Sequence, residues 1–104
     1  MKPDGLDEVV KNKIIGLLLV LFPHAKIYLY GSRARGDFKE RSDIDIALDA
    51  GPAPERLNLG EARTVLEGTR IPYKIDLIDL NFVQKELRET ILHEGVLWYP
   101  IKHD

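Results

Sequence analysis

The sequence predicts a small α/β (α+β) domain in which a mixed β-sheet has helices packed on one side. Segments with helical and strand patterns follow one another in the order helix, strand, strand, helix, strand, helix. The length, 104 residues, suits one hydrophobic core. No linker, low-complexity stretch or internal repeat divides the chain. We therefore expect one domain over residues 1–104.

The first half of the chain predicts one helix and two strands. Apolar residues recur at helical spacing over about residues 5–22, and Pro23 ends that pattern. The β-branched and aromatic run Lys26–Tyr30 predicts the first strand, which stops at Gly31. The second strand is predicted at Asp43–Asp49. The loop between the strands is short, so we expect a hairpin.

The second half predicts two more helices and one or two strands. Helical spacing indicates a second helix over about residues 57–70, and strand composition follows at Lys74–Leu80. A third helix is predicted over about residues 81–94, because its first four residues have the spacing of a capping box. Gly95 stands where a helix often ends. Val96–Tyr99 predicts a short last strand or an extended packing segment.

Composition excludes several classes of function. With 44% hydrophobic and 31% charged residues, the chain has the composition of a soluble globular protein. A net charge of −2 gives no general basic surface, so direct nucleic-acid binding is not expected and a small ligand or protein partner is favoured. The absence of cysteine excludes disulfides and thiolate sites. The apolar run Ile14–Phe22 is much shorter than the about 20 residues that cross a bilayer, so we expect a cytoplasmic protein without membrane contact.

The second strand carries the strongest chemical signal. Asp43 and Asp45 are two residues apart among apolar neighbours, so their side chains lie on the same side of the strand. Two such carboxylates repel unless a cation lies between them, and hard oxygen ligands favour Mg²⁺ or Mn²⁺. Two ions could hold the attacking and leaving oxygens of a phosphoryl transfer.

A third carboxylate is expected on the next strand, since a connection through the second helix would make that strand parallel to the second. Asp76 and Asp79 are the candidates, and their spacing directs them to opposite faces. We favour Asp76 as a metal ligand beside Asp43 and Asp45, with Asp79 as a structural residue or a residue that supports the metal ligands.

The turn after the first strand is suited to phosphate. Gly31 allows close backbone approach, Ser32 can donate its hydroxyl, and a helix beginning there would add a positive dipole end. Arg33 and Arg35 could hold phosphate oxygens, with surface or partner contacts as the alternative. A lone Gly-Ser is most often an ordinary turn. Its combination with the paired aspartates favours a functional site.

With these residues, the chain resembles the minimal nucleotidyltransferases of the polymerase-β superfamily. The shared pattern is Gly31-Ser32, then Asp43 and Asp45, then Asp76 on a later strand. The longer runs Gly-Ser-Arg-Ala-Arg-Gly and Ser-Asp-Ile-Asp-Ile-Ala-Leu resemble the small prokaryotic branch, whose members often pair with a helical HEPN protein as toxin and antitoxin.

The resemblance implies a reaction and a set of site residues. It implies transfer of a nucleoside monophosphate, AMP from ATP, to a hydroxyl with release of pyrophosphate. The acceptor in antitoxin members is a tyrosine of the HEPN toxin. Asp43, Asp45 and Asp76 would be the catalytic and Mg²⁺-binding residues, and Gly31, Ser32 and Arg33 would bind the nucleotide.

Two other functions remain open from the sequence. The chain could be a non-catalytic antitoxin that covers a helical toxin, or it could modify RNA or a small molecule such as an aminoglycoside. The acidic balance counts against transfer to RNA. The chain is too short for a second substrate domain, so we expect a partner or second copy, in a hetero-oligomer or homodimer, to present the acceptor.

Overall fold

The structure is a computed structural model that describes residues 4–51 and 56–101. The elements follow the predicted order, with one additional short helix and one 3₁₀ turn. In chain order they are α1 (Glu8–Leu21), β1 (Lys26–Tyr30), α2 (Ser32–Arg35), β2 (Ile44–Asp49), α3 (Leu59–Glu67), β3 (Ile75–Asp79), the 3₁₀ turn (Leu80–Phe82), α4 (Lys85–Glu94) and β4 (Val96–Tyr99). The predicted α/β class is confirmed.

The four strands form one mixed sheet in the order β3-β2-β1-β4. β1 pairs antiparallel with both β2 and β4, so the predicted hairpin and the last strand are confirmed. β3 pairs parallel with β2, as the connection through α3 predicts. This parallel pair places Asp45 opposite Asp76 in register.

Helices lie on both faces of the sheet, which corrects the expectation that they pack on one side. Ile46 and Leu48 of β2 belong to the main core with α1 and α3. Ala47, between them, points to the opposite face and packs with Leu80 and Ile91, which belongs to α4. Strand side chains alternate between faces, so a strand buried on both faces needs cover on each. Nothing in α4's own sequence indicates which face it covers.

The predicted capping box at the third helix is wrong. Asn81 lies in the 3₁₀ turn, and α4 begins only after Gln84. The Asp79 carboxylate accepts a hydrogen bond from the Asn81 amide at 3.1 Å, which closes this turn before the helix. The Asn81 side chain donates to Asp49 Oδ1 and to the Gly51 carbonyl, each at 3.0 Å. Asn81 therefore ties the end of β2 to the end of β3.

α1 is an amphipathic helix of 14 residues whose buried face contains Ile14 and Leu18. Its length is about 21 Å at 1.5 Å per residue, less than the hydrocarbon layer of a bilayer. Over residues 4–51 and 56–101, no helix combines the length and the apolar character needed to cross a membrane.

Candidate active site

Three aspartates meet at one end of the β2–β3 pair. Asp45 in β2 is the register partner of Asp76 in β3, and parallel strands lie about 4.8 Å apart. Asp43 precedes the first residue of β2 and is exposed, as is Asp76, while Asp45 is half-buried. The structure therefore brings the predicted carboxylates to one end of these two strands.

The charges of these aspartates repel one another within the fold. Burial raises the pKa of Asp45, and the nearby charges of Asp76 and Asp43 raise it further, while Arg35 lowers it. A raised carboxyl pKa means that the folded state disfavours the ionised form. A divalent cation would relieve this repulsion.

Tyr30 is a site residue that the sequence reasoning missed. It is the register partner of Asp45 in the β1–β2 pair, so its ring lies on the same face as that carboxylate. Burial, with smaller contributions from Asp45 and Asp76, raises the pKa of Tyr30 to about 12. The phenol therefore stays protonated beside the acidic group. The signal was its position as the last residue of a strand in an antiparallel hairpin.

Gly31 lies between the three aspartates and the turn at Ser32, which the sequence predicts to face phosphate. Its backbone has φ 74° and ψ −155°, a region that essentially only glycine occupies. A Cβ atom at Gly31 would collide with Oδ2 of Asp45. The absence of a side chain thus lets the turn approach the carboxylate closely. α2 begins at the next residue, Ser32, with the amide of Arg35 donating to the Gly31 carbonyl at 3.1 Å.

Arg33 is not available to a ligand, and this contradicts its predicted role in binding the nucleotide. Its side chain is buried, with 2% exposed. Nε and Nη2 donate to the Ser42 carbonyl at 3.1 and 3.0 Å, and Nη2 also donates to the Glu40 carbonyl at 3.1 Å. Nη1 donates to the Asp4 carbonyl at 2.8 Å. The N–H donors that a phosphate would need are therefore already bonded to backbone carbonyls of this chain.

Arg35 is the arginine that faces the acidic group. Two positions along a helix correspond to a rotation of about 200°, so Arg33 and Arg35 point in different directions. Arg35 is exposed, lies 3.3 Å from Asp37 through Nε, and lowers the pKa of Asp45. Exposed ion pairs of this kind are weak, so the Asp37 contact can be exchanged for another anion. The sequence motif contains both arginines but gives no sign of which one is buried.

Asp79 has a structural role, as the face alternation suggested. It is 8% exposed, and its carboxylate accepts from the Leu57 amide at 3.0 Å and from the Asn81 amide at 3.1 Å. Backbone donors thus occupy both oxygens. Of the two alternatives for the third carboxylate, Asp76 is the one that lies beside Asp45.

The donor set suits a hard divalent cation. Asp43, Asp45 and Asp76 offer carboxylate oxygens, which Mg²⁺ prefers, and their mutual repulsion favours a bound cation. Within the part of the chain that the structure describes, no three acidic, histidine or cysteine side chains already converge as a formed metal cage. Magnesium sites commonly share their ligands with waters and substrate phosphates, so a complete protein cage is not required.

Comparison with known proteins agrees with this geometry. The family described as "Polymerase beta, Nucleotidyltransferase" matches residues 12–104. This chain belongs to that family. Protein adenylyltransferase MntA of Shewanella oneidensis is 32% identical over 95 residues, which cover 89% of this nucleotidyltransferase and 68% of MntA. A relative from Methanocaldococcus jannaschii is 34% identical over 89 residues, covering 84% of this chain and 91% of its own.

Solved structures with the same fold include toxin–antitoxin complexes. A toxin–antitoxin with AMP-PNP aligns with a TM-score of 0.73 and 30% identity, covering 88% of this nucleotidyltransferase and 74% of that chain. The complex of a tri-AMPylated HEPN toxin of Shewanella oneidensis with MNT antitoxin aligns with a TM-score of 0.70 and 27% identity. The alignment covers 92% of this nucleotidyltransferase and 74% of that chain. The resemblance to minimal nucleotidyltransferases of toxin–antitoxin pairs is confirmed.

Proposed function

We propose that this nucleotidyltransferase transfers AMP from ATP to a tyrosine hydroxyl of a HEPN toxin and so acts as an antitoxin. The observation that carries the proposal is the register of Asp45 with Asp76, directly beside the Gly31 turn. Similar proteins give the acceptor class, since MntA is named a protein adenylyltransferase and a HEPN toxin is tri-AMPylated in its complex with an MNT antitoxin.

Each part of the site has a distinct task in this reaction. Asp43, Asp45 and Asp76 would hold two Mg²⁺ ions, which supply charge stabilisation at the α-phosphate and lower the pKa of the acceptor hydroxyl. Gly31 and Ser32 would face the phosphate oxygens with backbone and hydroxyl donors. In the transfer, the acceptor oxygen bonds to the α-phosphorus, pyrophosphate leaves, and the acceptor proton goes to solvent or a nearby base.

The order of the strands favours ATP phosphates on the β1 side of the aspartates and the acceptor hydroxyl on the β3 side. The phosphate turn follows β1, Asp45 lies on the central β2, and Asp76 lies on β3 at the edge of the sheet. In-line transfer needs the attacking oxygen opposite the leaving pyrophosphate. We therefore propose that the partner presents its tyrosine from the β3 side, in a hetero-oligomer with this chain.

Labelled ATP tests the proposal directly. The chain and its HEPN partner are incubated with Mg²⁺ and ATP labelled at the α-phosphate, and the products are separated and mapped. We expect label on a toxin tyrosine, and none when the label is on the γ-phosphate, because pyrophosphate leaves. Label appearing in RNA or in a small-molecule acceptor would contradict the proposed acceptor.

A double variant separates catalysis from simple masking of the toxin. Asp43→Asn with Asp45→Asn should retain the fold but lose both labelling and neutralisation. If the double variant still neutralises the toxin, the protein acts as a non-catalytic antitoxin. Toxin activity and binding of the two chains are measured in parallel, so that lost binding is not mistaken for lost catalysis.

Arg35 should contribute to ATP binding. Arg35→Ala removes an exposed cation next to Asp45, and a hydrogen bond to a charged group is worth about 1.5–3 kcal/mol. We expect kcat/KM for ATP to fall about 10- to 100-fold, in steady-state assays at saturating toxin. Arg88→Ala in α4 is the control and should leave kcat/KM for ATP unchanged. An unchanged kcat/KM for ATP in Arg35→Ala would remove Arg35 from the site.

A further inference from the structure

We infer that Arg33 is a positioning residue that sets the placement of Asp43 and Asp76 relative to the Ser32 turn, without contacting the nucleotide. The inference adds to the proposed function a residue that acts through its neighbours. Its activity readout rests on that function, whereas its metal-binding readout does not.

Arg33 holds the segment that leads into Asp43. The Ser42 carbonyl, which accepts from Nε and Nη2, belongs to the peptide bond that joins Ser42 to Asp43. The Glu40 carbonyl accepts from Nη2 in the same loop. The loop is closed further by the Ser42 hydroxyl, which accepts from the Lys39 amide at 2.7 Å. Movement of the Asp43 backbone would therefore break contacts with the guanidinium.

Arg33 also contacts the segment that leads into β3. Its guanidinium carbon lies 4.8 Å from the centroid of the Tyr73 ring, three residues before Asp76. The neighbouring Lys74 carbonyl accepts from the amide of Ile44 at 2.9 Å, where β2 begins. The guanidinium thus lies between the two segments that carry the aspartates, and Arg33 itself follows Ser32 in α2.

The chemistry of the guanidinium suits this task. Its planar fork of donors reaches carbonyls of separate segments at once, while its faces stack on the rings of Tyr73 and of Phe38, the latter at 4.9 Å. A buried charge is tolerated only when its donors are satisfied, as they are by the carbonyls of Asp4, Glu40 and Ser42. Lysine would keep the charge but would lack the fork.

Metal affinity is the measurement that separates positioning from simple stabilisation. Binding of Mn²⁺ is titrated by electron paramagnetic resonance, with neither nucleotide nor partner present, at a temperature below the thermal midpoint of each variant. Substitution of residues that orient metal ligands typically lowers metal affinity or activity 10- to 100-fold. We therefore expect Arg33→Lys to weaken Mn²⁺ binding at least about tenfold. Its kcat should fall about 100-fold while the KM for ATP stays within about threefold.

Two further variants complete the design. Phe38→Leu removes one ring but keeps every donor of Arg33, so a smaller loss of Mn²⁺ affinity in the same direction is expected. Leu18→Ala, on the buried face of α1, is the control for stability. It should lower the thermal midpoint and leave Mn²⁺ affinity within about twofold of wild type, because Leu18 packs on the face of the sheet opposite Asp45.

The outcomes decide between the alternatives. The inference is wrong if Arg33→Lys binds Mn²⁺ as wild type does, if Leu18→Ala loses as much affinity, or if the wild type binds no Mn²⁺. Should Arg33→Lys fail to fold, Phe38→Leu decides by the same criterion. If the metal affinities follow the expected order but no variant or wild type transfers AMP, the proposed function fails and the positioning role of Arg33 stands.

Discussion

Asp45→Asn is expected to reduce AMP transfer about 10³-fold, because the loss of the metal ligand that we propose at Asp45 would remove several kcal/mol of transition-state stabilisation. The same change should raise the thermal midpoint of the metal-free protein by a few degrees. Burial and the charges of Asp76 and Asp43 disfavour the ionised Asp45 carboxylate in the fold, and asparagine removes that charge. Loss of function with gain of stability is the expected signature of a charged site.

Differential scanning fluorimetry with and without Mg²⁺ measures the thermal midpoints of wild type and Asp45→Asn. Wild type should gain stability with Mg²⁺, by about 2.7 kcal/mol at a concentration 100-fold above its Kd, and Asp45→Asn should gain much less. The pKa of Asp45 is raised in the folded state, so wild type recovers the lost stability as the pH falls through the raised pKa to the carboxyl's ordinary pKa. The difference in thermal midpoint should therefore be largest near neutral pH and shrink towards about pH 4. If the metal-free Asp45→Asn variant has a lower thermal midpoint than metal-free wild type, repulsion among the aspartates does not destabilise the fold.

Gly31→Ala is expected to lower AMP transfer about 100-fold and to destabilise the fold. Its φ of 74° and ψ of −155° cost a residue with a side chain about 1–3 kcal/mol. The new Cβ would also meet Oδ2 of Asp45, so the carboxylate must move. A displacement of about 1 Å in a catalytic group can cost about 100-fold in rate.

Two other glycines separate strain from collision. Gly36 has φ 89° but open space where a Cβ would stand, so Gly36→Ala should lose stability while keeping activity. Gly16, inside α1, has neither constraint, and alanine there should stabilise by about 1 kcal/mol. Chemical denaturation and steady-state rates are measured on all three variants. Equal rate losses in Gly31→Ala and Gly36→Ala would show that collision with Asp45 is unimportant.

Local pattern was sufficient to predict most of the fold. Strand periodicity set Asp43 and Asp45 on one side, and the rule for connections between parallel strands placed Asp76 beside them, which the β2–β3 register confirms. Helix ends were less accurate. Asn81 was assigned to a capping box, whereas Asp79 from β3 closes a 3₁₀ turn there. That contact depends on the position of a neighbouring element and leaves no mark in local spacing.

The sequence by itself determined which chemical groups this protein has and the strand face they share, because a period of two is a property of the backbone alone. Only the tertiary structure decided which arginine is exposed, since Arg33 and Arg35 differ in what packs around them and not in chemistry. It also decided that α4 covers the face opposite α1 and α3. Burial and long-range hydrogen bonding depend on segments distant in the chain, so they become visible only when the chain is folded.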